Sequence, residues 1–268
     1  PLAEQGGFDL IAQGYSGLMS VTGEGEGRAP VKIGAPVTDI TAGILAAFGV
    51  ASALFERERS GLGQRVDTSL FEAGITQTYW QSAIALASGL SPGPMGSAHP
   101  LAAPYQAFST SDGWVNVGAS NESTWLGLTR AVGSTRLQED PRFVTNAGRL
   151  EHLTSLIEEL TPIFAVRTSR EWLTRLEAEG VPAGPVASIG EMLEHPQTRA
   201  REMVVDVTHT RLGQVESLGS PVKMSSSSGP ALSGAPLLGE HTREVLLEAG
   251  YTDREIDDLV AAGHVFAG

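Results

Sequence analysis

The sequence predicts a mixed α/β protein with a smaller α+β region, and three stretches carry that expectation. Residues 40–55, ITAGILAAFGVASALF, hold no charge and read as a helix, and RVDTSLF (65–71) follows after a short turn. A helix, a turn and a strand-like run in succession suggest an α/β layer. Farther on, PYQAFSTSDGWVNVGA reads as two short strands around Asp112-Gly113, and helical patterns follow it. Strands followed by helices suggest a separate α+β unit.

Taken in order, FDLIAQGYSGLMS (8–20) mixes apolar and small residues and is expected to form a short buried helix. GEGEGRAP (23–30) is a loop by composition; Glu24 and Glu26 would repel a phosphate, so its glycines do not make a nucleotide loop. The run at 40–55 is apolar on every face, which predicts a helix buried on all sides, stopped near Gly61 and Gly63. Residues 72–89 restore a helical pattern, and the Pro/Gly-rich SPGPMGSAHPLAAP (91–104) reads as a hinge. Helices are predicted near 121–132 and 145–165. A capping box at Thr168–Glu171 opens another, which Gly180 ends. Residues 207–236 are strand-like and then Ser/Gly/Pro-rich, a covering connection. Two helices close the chain at about 240–249 and 253–262, the second opened by a capping box at Thr252–Glu255.

Bulk properties restrict the function. A formal charge of −13 argues against a nucleic-acid partner, which needs a basic footprint. With no cysteine, neither a disulfide framework nor a thiol nucleophile is available, which is compatible with the expected cytoplasmic location. The apolar run at 40–55 falls short of the roughly 20 residues that span a bilayer, so a core helix is expected and no membrane partner. PLAEQGG at the start has no basic, then apolar, leader pattern, and the lack of an initiator Met suggests a fragment. The six histidines (99, 152, 195, 209, 241, 264) are scattered without metal-ligand spacing, and no metal site is expected. Gly14-Tyr15-Ser16-Gly17 lacks the spacing of a nucleophile elbow.

Asp39 is the residue that stands out, since it directly precedes the uncharged run. A carboxylate at the edge of a buried element must be satisfied or held for chemistry. Asp is a favoured helix cap. The N–H groups of a helix N-terminus also stabilise an anion, which suits a nucleophile toward a thioester. Spacing alone leaves both roles open.

FDLIAQGYSGLMSVTG and KIGAPVTDITAGILAAFGVASALFERERSGLGQRVDTSLFEA closely resemble the class III CoA-transferase family. They carry an aromatic-Asp followed by Gln, a Thr-Gly, and a G-x-x-x-x-D before a long apolar helix. An R-x-x-[ST]-G-x-G-Q-x-V-D segment follows. APYQAFSTSDGWV, GVPAGPV, HPQTRAREMV and PLLGEHTREVLLEAGY are similar to later segments of that family, so the resemblance runs over nearly the whole chain.

The resemblance implies that Asp39 is the catalytic nucleophile, forming aspartyl anhydride and aspartyl-CoA thioester intermediates as CoA passes from an acyl-CoA to a carboxylic acid. It places Gly6, Gly7 and Phe8 on a stretch that contacts CoA, and Asp9 and Gln13 at polar positions near the active site. Gly96 and His99 fall near a mobile glycine-rich loop that meets substrate; PGPMGSAHP lacks the consecutive glycines of that loop, and His99 could instead order it. No permanently bound cofactor is implied, only CoA and acyl-CoA as substrate.

The implied fold has a Rossmann-like large domain in residues 1–90, a small α+β domain in 91–194, and a return to the large domain in 195–268. It also implies an intertwined homodimer, or pairing with a missing N-terminal segment that holds much of the CoA site. Within the same family, acyl-CoA racemases carry Gly-His-Asp where this chain has Gly7-Phe8-Asp9, and Phe8 cannot transfer a proton. A racemase and a catalytically silent scaffold are the alternatives.

Overall fold

The computed structural model describes residues 5–226 and 232–268, in two compact units divided between Val186 and Ala187. Residues 227–231 of the expected covering connection lie outside the described residues.

The first unit opens with α1 (Asp9–Tyr15), a 3-10 turn at Leu18–Ser20, and the long α2 (Val37–Ser60). Helices α3 (Leu70–Gln77) and α4 (Tyr79–Ser88) follow. Ser69 caps α3 by accepting a hydrogen bond from the Glu72 N–H. Gly61 and Gly89 end α2 and α4 in the left-handed conformation.

Three expectations are corrected here. The strand expected at 65–71 does not form: 62–69 is irregular and α3 starts at Leu70. Its β-forming composition has no ladder to join, because no strand precedes Tyr105 among the described residues. Nor is α2 buried on all sides. It packs against α1 and α3 with Thr38 buried, while Ile40, Ile44, Phe48, Leu54 and Phe55 remain exposed. At 24 residues it is also long and apolar enough to cross a membrane by length and composition, although the uncharged run inside it is only residues 40–55. Nor is the helix expected within 8–20 a buried one: α1 leaves Leu10, Ile11 and Tyr15 exposed, as is Phe8 at its N-cap, and buries only Ala12 and Gln13.

From residue 103 the chain builds a dense core. Strands β1 (Tyr105–Ser109) and β2 (Trp114–Gly118) form the expected hairpin, with Ser109 opposite Trp114. β3 (Ala183–Pro185) adds to the free edge of β2, giving an antiparallel sheet in the order β1-β2-β3. Helices α5 (Glu122–Val132), α6 (Thr135–Glu139), α7 (Asn146–Glu151), α8 (Leu153–Phe164) and α9 (Ser169–Ala178) lie between β2 and β3 in sequence. Leu156, Leu160 and Phe164 recur at four-residue spacing on α8, and all are fully buried. Phe164 stacks on Phe108 of β1 at 4.5 Å and meets Trp172 of α9 at 4.7 Å. The Trp172 indole N–H donates to the Phe164 carbonyl at 2.8 Å, so a buried polar group is satisfied inside this cluster. The Thr168 capping box is present as expected.

The second unit carries α10 (Ile189–Glu194), α11 (Pro196–Ala200), the hairpin β4 (Val204–His209) and β5 (Gly213–Leu218), then α12 (Thr242–Glu248) and α13 (Asp253–Ala261). Arg243 ties the last two together by ion pairs to Asp253, at 2.6 Å, and Asp257. Thr252 caps α13 in the expected box with Glu255.

Candidate active site

Asp39 is the third residue of α2, in the turn where the helix dipole favours negative charge. It is exposed, and no hydrogen bond or ion pair among the described residues reaches its carboxylate. The capping role that spacing allowed it is filled otherwise. Pro36 occupies the N-cap and offers no side-chain cap, and the Val37 N–H turns back to the Ala35 carbonyl at 2.8 Å. The Thr38 N–H is taken by Asp9, 29 residues earlier, whose Oδ1 accepts it at 3.1 Å and the Thr38 hydroxyl at 2.8 Å. A carboxylate lent from α1 thus serves the start of α2, and Asp39 is left uncommitted.

Gln13 completes the arrangement one helical turn after Asp9. Its Nε2 donates to Asp9 Oδ2 at 2.8 Å, and its Oε1 accepts the Ile33 N–H at 2.9 Å. One face of α1 therefore grips the approach to α2 at both Ile33 and Thr38. Gln13 and Thr38 are fully buried. Desolvation pushes the Asp9 carboxyl up, but the hydrogen bonds from Thr38 and Gln13, with the nearby Lys32 charge, outweigh it and hold Asp9 below its ordinary range. Asp9 and Gln13, expected near substrate, are here engaged with the backbone of their own chain.

Helix α3 backs this cluster. Gly74 lies so close that a Cβ would sit 2.4 Å from Ser16 Oγ and 3.4 Å from Thr38 Cγ2. Gln77 donates to the Thr41 hydroxyl at 2.8 Å, fixing the next turn of α2. Sequence reading missed Thr38, Gly74 and Gln77. The G-x-x-x-x-D motif contains Thr38, and a threonine just before the acid was the available signal.

Gly6 and Gly7 share an apolar cleft of about 390 Å³ with Ile11, Tyr15, Leu70 and Phe71. A Cβ added at either glycine would meet no atom within 4 Å, so the backbone there is open to approach by a ligand. Phe8 is 81% exposed, and its carbonyl accepts the Ile11 and Ala12 N–H groups at the start of α1.

Gly96 and His99 form a different cluster. Gly96, at φ 62°, donates its N–H to the Gly23 carbonyl at 2.8 Å, stitching the 91–99 loop to the glycine-rich loop before α2. His99 sits between Trp80 and Tyr105, at 4.9 and 5.3 Å, and its Nδ1 accepts the Leu101 N–H at 3.0 Å. These contacts order the loop. No hydrogen bond joins the Gly96–His99 cluster to Asp39 among the described residues.

Residues 1–242 match the family model described as CoA-transferase family III. The chain is similar to an acyl-CoA transferase of Fusarium pseudograminearum, with 39% identity over 93% of this chain and 55% of that protein. It is also similar to a succinate–glutarate CoA-transferase of Agrobacterium fabrum, with 34% identity over 95% of this chain and 63% of that protein. Among solved structures, a CAIB/BAIF family protein from Brucella suis matches with a TM-score of 0.79 and 35% identity, covering 92% of this chain and 64% of that one. The chain thus spans about 55–63% of the length of these two curated relatives. By the extent of the family match, this chain belongs to CoA-transferase family III.

Proposed function

We propose that the chain carries the nucleophile of a CoA-transferase, and that Asp39 is that residue. The observation that carries the reading is the uncommitted Asp39 carboxylate in the first turn of α2, with its capping duty transferred to Asp9.

Asp39 attacks the thioester carbonyl of the acyl-CoA donor, the C–S bond breaks, and CoA leaves as a thiolate. The thiolate then attacks the aspartyl carbonyl of the mixed anhydride, releasing the donor acid and leaving an aspartyl-CoA thioester. The acceptor carboxylate attacks that thioester, expelling the thiolate and forming a second anhydride. Attack by the thiolate on the acceptor's acyl carbon yields the new acyl-CoA and restores Asp39. Each step exchanges one acyl bond for another, so no oxidation state changes; CoA enters as substrate.

Relatives are named as CoA-transferases acting between succinate and glutarate, succinyl-CoA and mesaconate, and acetyl-CoA and oxalate, which supports a short dicarboxylic acid as acceptor. The apolar cleft beside Gly6 and Gly7 suits the approach of CoA, with Phe8 at its margin; Gly96 and His99 order a loop that borders the substrate. In this reading the exposed face of α2 is covered in a complete assembly, an intertwined cytoplasmic dimer whose large Rossmann-like domain includes polypeptide beyond the present chain. Phe8, which cannot carry a proton, speaks against a racemase.

Active enzyme incubated with succinyl-CoA and ¹³C-glutarate should yield ¹³C-glutaryl-CoA. In D₂O, without an acceptor, a 2-methylacyl-CoA should gain no deuterium at C2. Rapid exchange at C2 with no transfer to any short dicarboxylate would overturn the reading.

A further inference from the structure

We infer that Asp9 is a positioning residue for the reaction, acting on Asp39 through Thr38 rather than touching substrate. The inference rests on the reading of Asp39 as nucleophile. Both oxygens of Asp9 are occupied within the chain: Oδ1 accepts the Thr38 N–H and hydroxyl, and Oδ2 accepts the Gln13 amide. Thr38 is fully buried and adjoins Asp39 along the first turn of α2, so its place sets the direction in which Asp39 leaves the helix.

The geometry has two anchors. Gln13 holds Ile33, and Asp9 holds Thr38, from neighbouring turns of the same helix. The approach to α2 is thereby fixed at both ends, although it has no regular structure of its own. Gly74 closes the other side, where the missing Cβ lets Ser16 and Thr38 pack against α3. A nucleophile on a helix end needs this kind of support, because a misplacement of about 1 Å can cost on the order of 100-fold in rate.

Asp9→Asn provides a nearly isosteric probe. Its amide oxygen can still accept from Thr38, but its amino group faces Gln13 Nε2, donor against donor. Thr38→Val removes the hydroxyl and keeps the shape and the N–H. In active enzyme both variants should lower kcat, Asp9→Asn by roughly 10- to 100-fold, with KM for the acyl-CoA changed less than about threefold. The double variant should be no slower than Asp9→Asn alone, since both substitutions disrupt one linkage.

Thr38 amide hydrogen exchange should quicken in Asp9→Asn, a readout independent of turnover. Hydroxylamine trapping on acyl-CoA should still label Asp39 in both variants, more slowly. Raised KM with unchanged kcat would make Asp9 a substrate contact and overturn the proposal. So would unchanged kcat in folded Asp9→Asn and Thr38→Val while wild type is labelled at Asp39. Label on another carboxylate in wild type would instead remove the Asp39 reading, and this inference with it.

Discussion

At the scale of single residues, Asp9 and Arg149 show how far a side chain's role can lie from its place in the sequence. Arg149 of α7 is fully buried, with its guanidinium 4.9 Å from the Trp125 ring. Its Nε donates to the Ala103 carbonyl at 2.7 Å and its Nη1 to the Phe143 carbonyl at 2.9 Å. Replacing it with methionine strands both carbonyls, so Arg149→Met should lose roughly 2–4 kcal/mol of stability by denaturant unfolding. Asp9 makes a pH-dependent contribution. Because its native carboxyl titrates below the unfolded value of 3.8, the stabilisation is complete above that value and fades as pH falls through the lower native one. The melting difference between wild type and Asp9→Asn should therefore be full at pH 6 and shrink in strong acid, as thermal melts across pH would show. Asp39 is legible as a single residue, because an acid before a long uncharged run is conspicuous. The partner that frees it is not, since Asp9 lies 29 positions upstream and only folding brings it to Thr38.

At the scale of elements, short-range chemistry is readable and long-range company is not. The capping boxes at Thr168 and Thr252, the Asp112-Gly113 hairpin and the stop at Gly180 all follow from contacts within a few residues. The strand expected at 65–71 is absent because a strand depends on a neighbour that composition does not encode. The apolar surround of α2 suggests a core helix, yet that surround reports only that something must cover it. The packing of α3 against α1 and α2 depends on Gly74, whose added Cβ would fall 2.6 Å from the Ser16 Cβ, a backbone-fixed atom. Gly74→Ala should cost on the order of 1–3 kcal/mol through overpacking. It should also slow transfer, because Thr38 lies against the same spot. Melting temperature and kcat measured on the same preparation would test both.

At the scale of the whole molecule, the two parts of the first unit differ in how much they can hold by themselves. Residues 103–181 bury a continuous cluster of aromatic and aliphatic side chains, whereas α1 to α4 expose much of theirs. The 268-residue chain alone should therefore bind CoA poorly and bind a hydrophobic dye strongly, with both effects reversed by the remainder of the relatives' length supplied as protein. Tight CoA binding by the isolated chain in calorimetry would contradict this. The central claim concerns Asp39, and peptide mapping after trapping tests it most directly. Active enzyme given acyl-CoA and hydroxylamine should gain an aspartyl hydroxamate on the peptide containing Asp39. Asp39→Asn, whose cap is in any case supplied by Asp9, should fold normally, acquire no hydroxamate and lose transfer by several orders of magnitude. Near-normal turnover by Asp39→Asn, or a hydroxamate on a different carboxylate, would contradict the account.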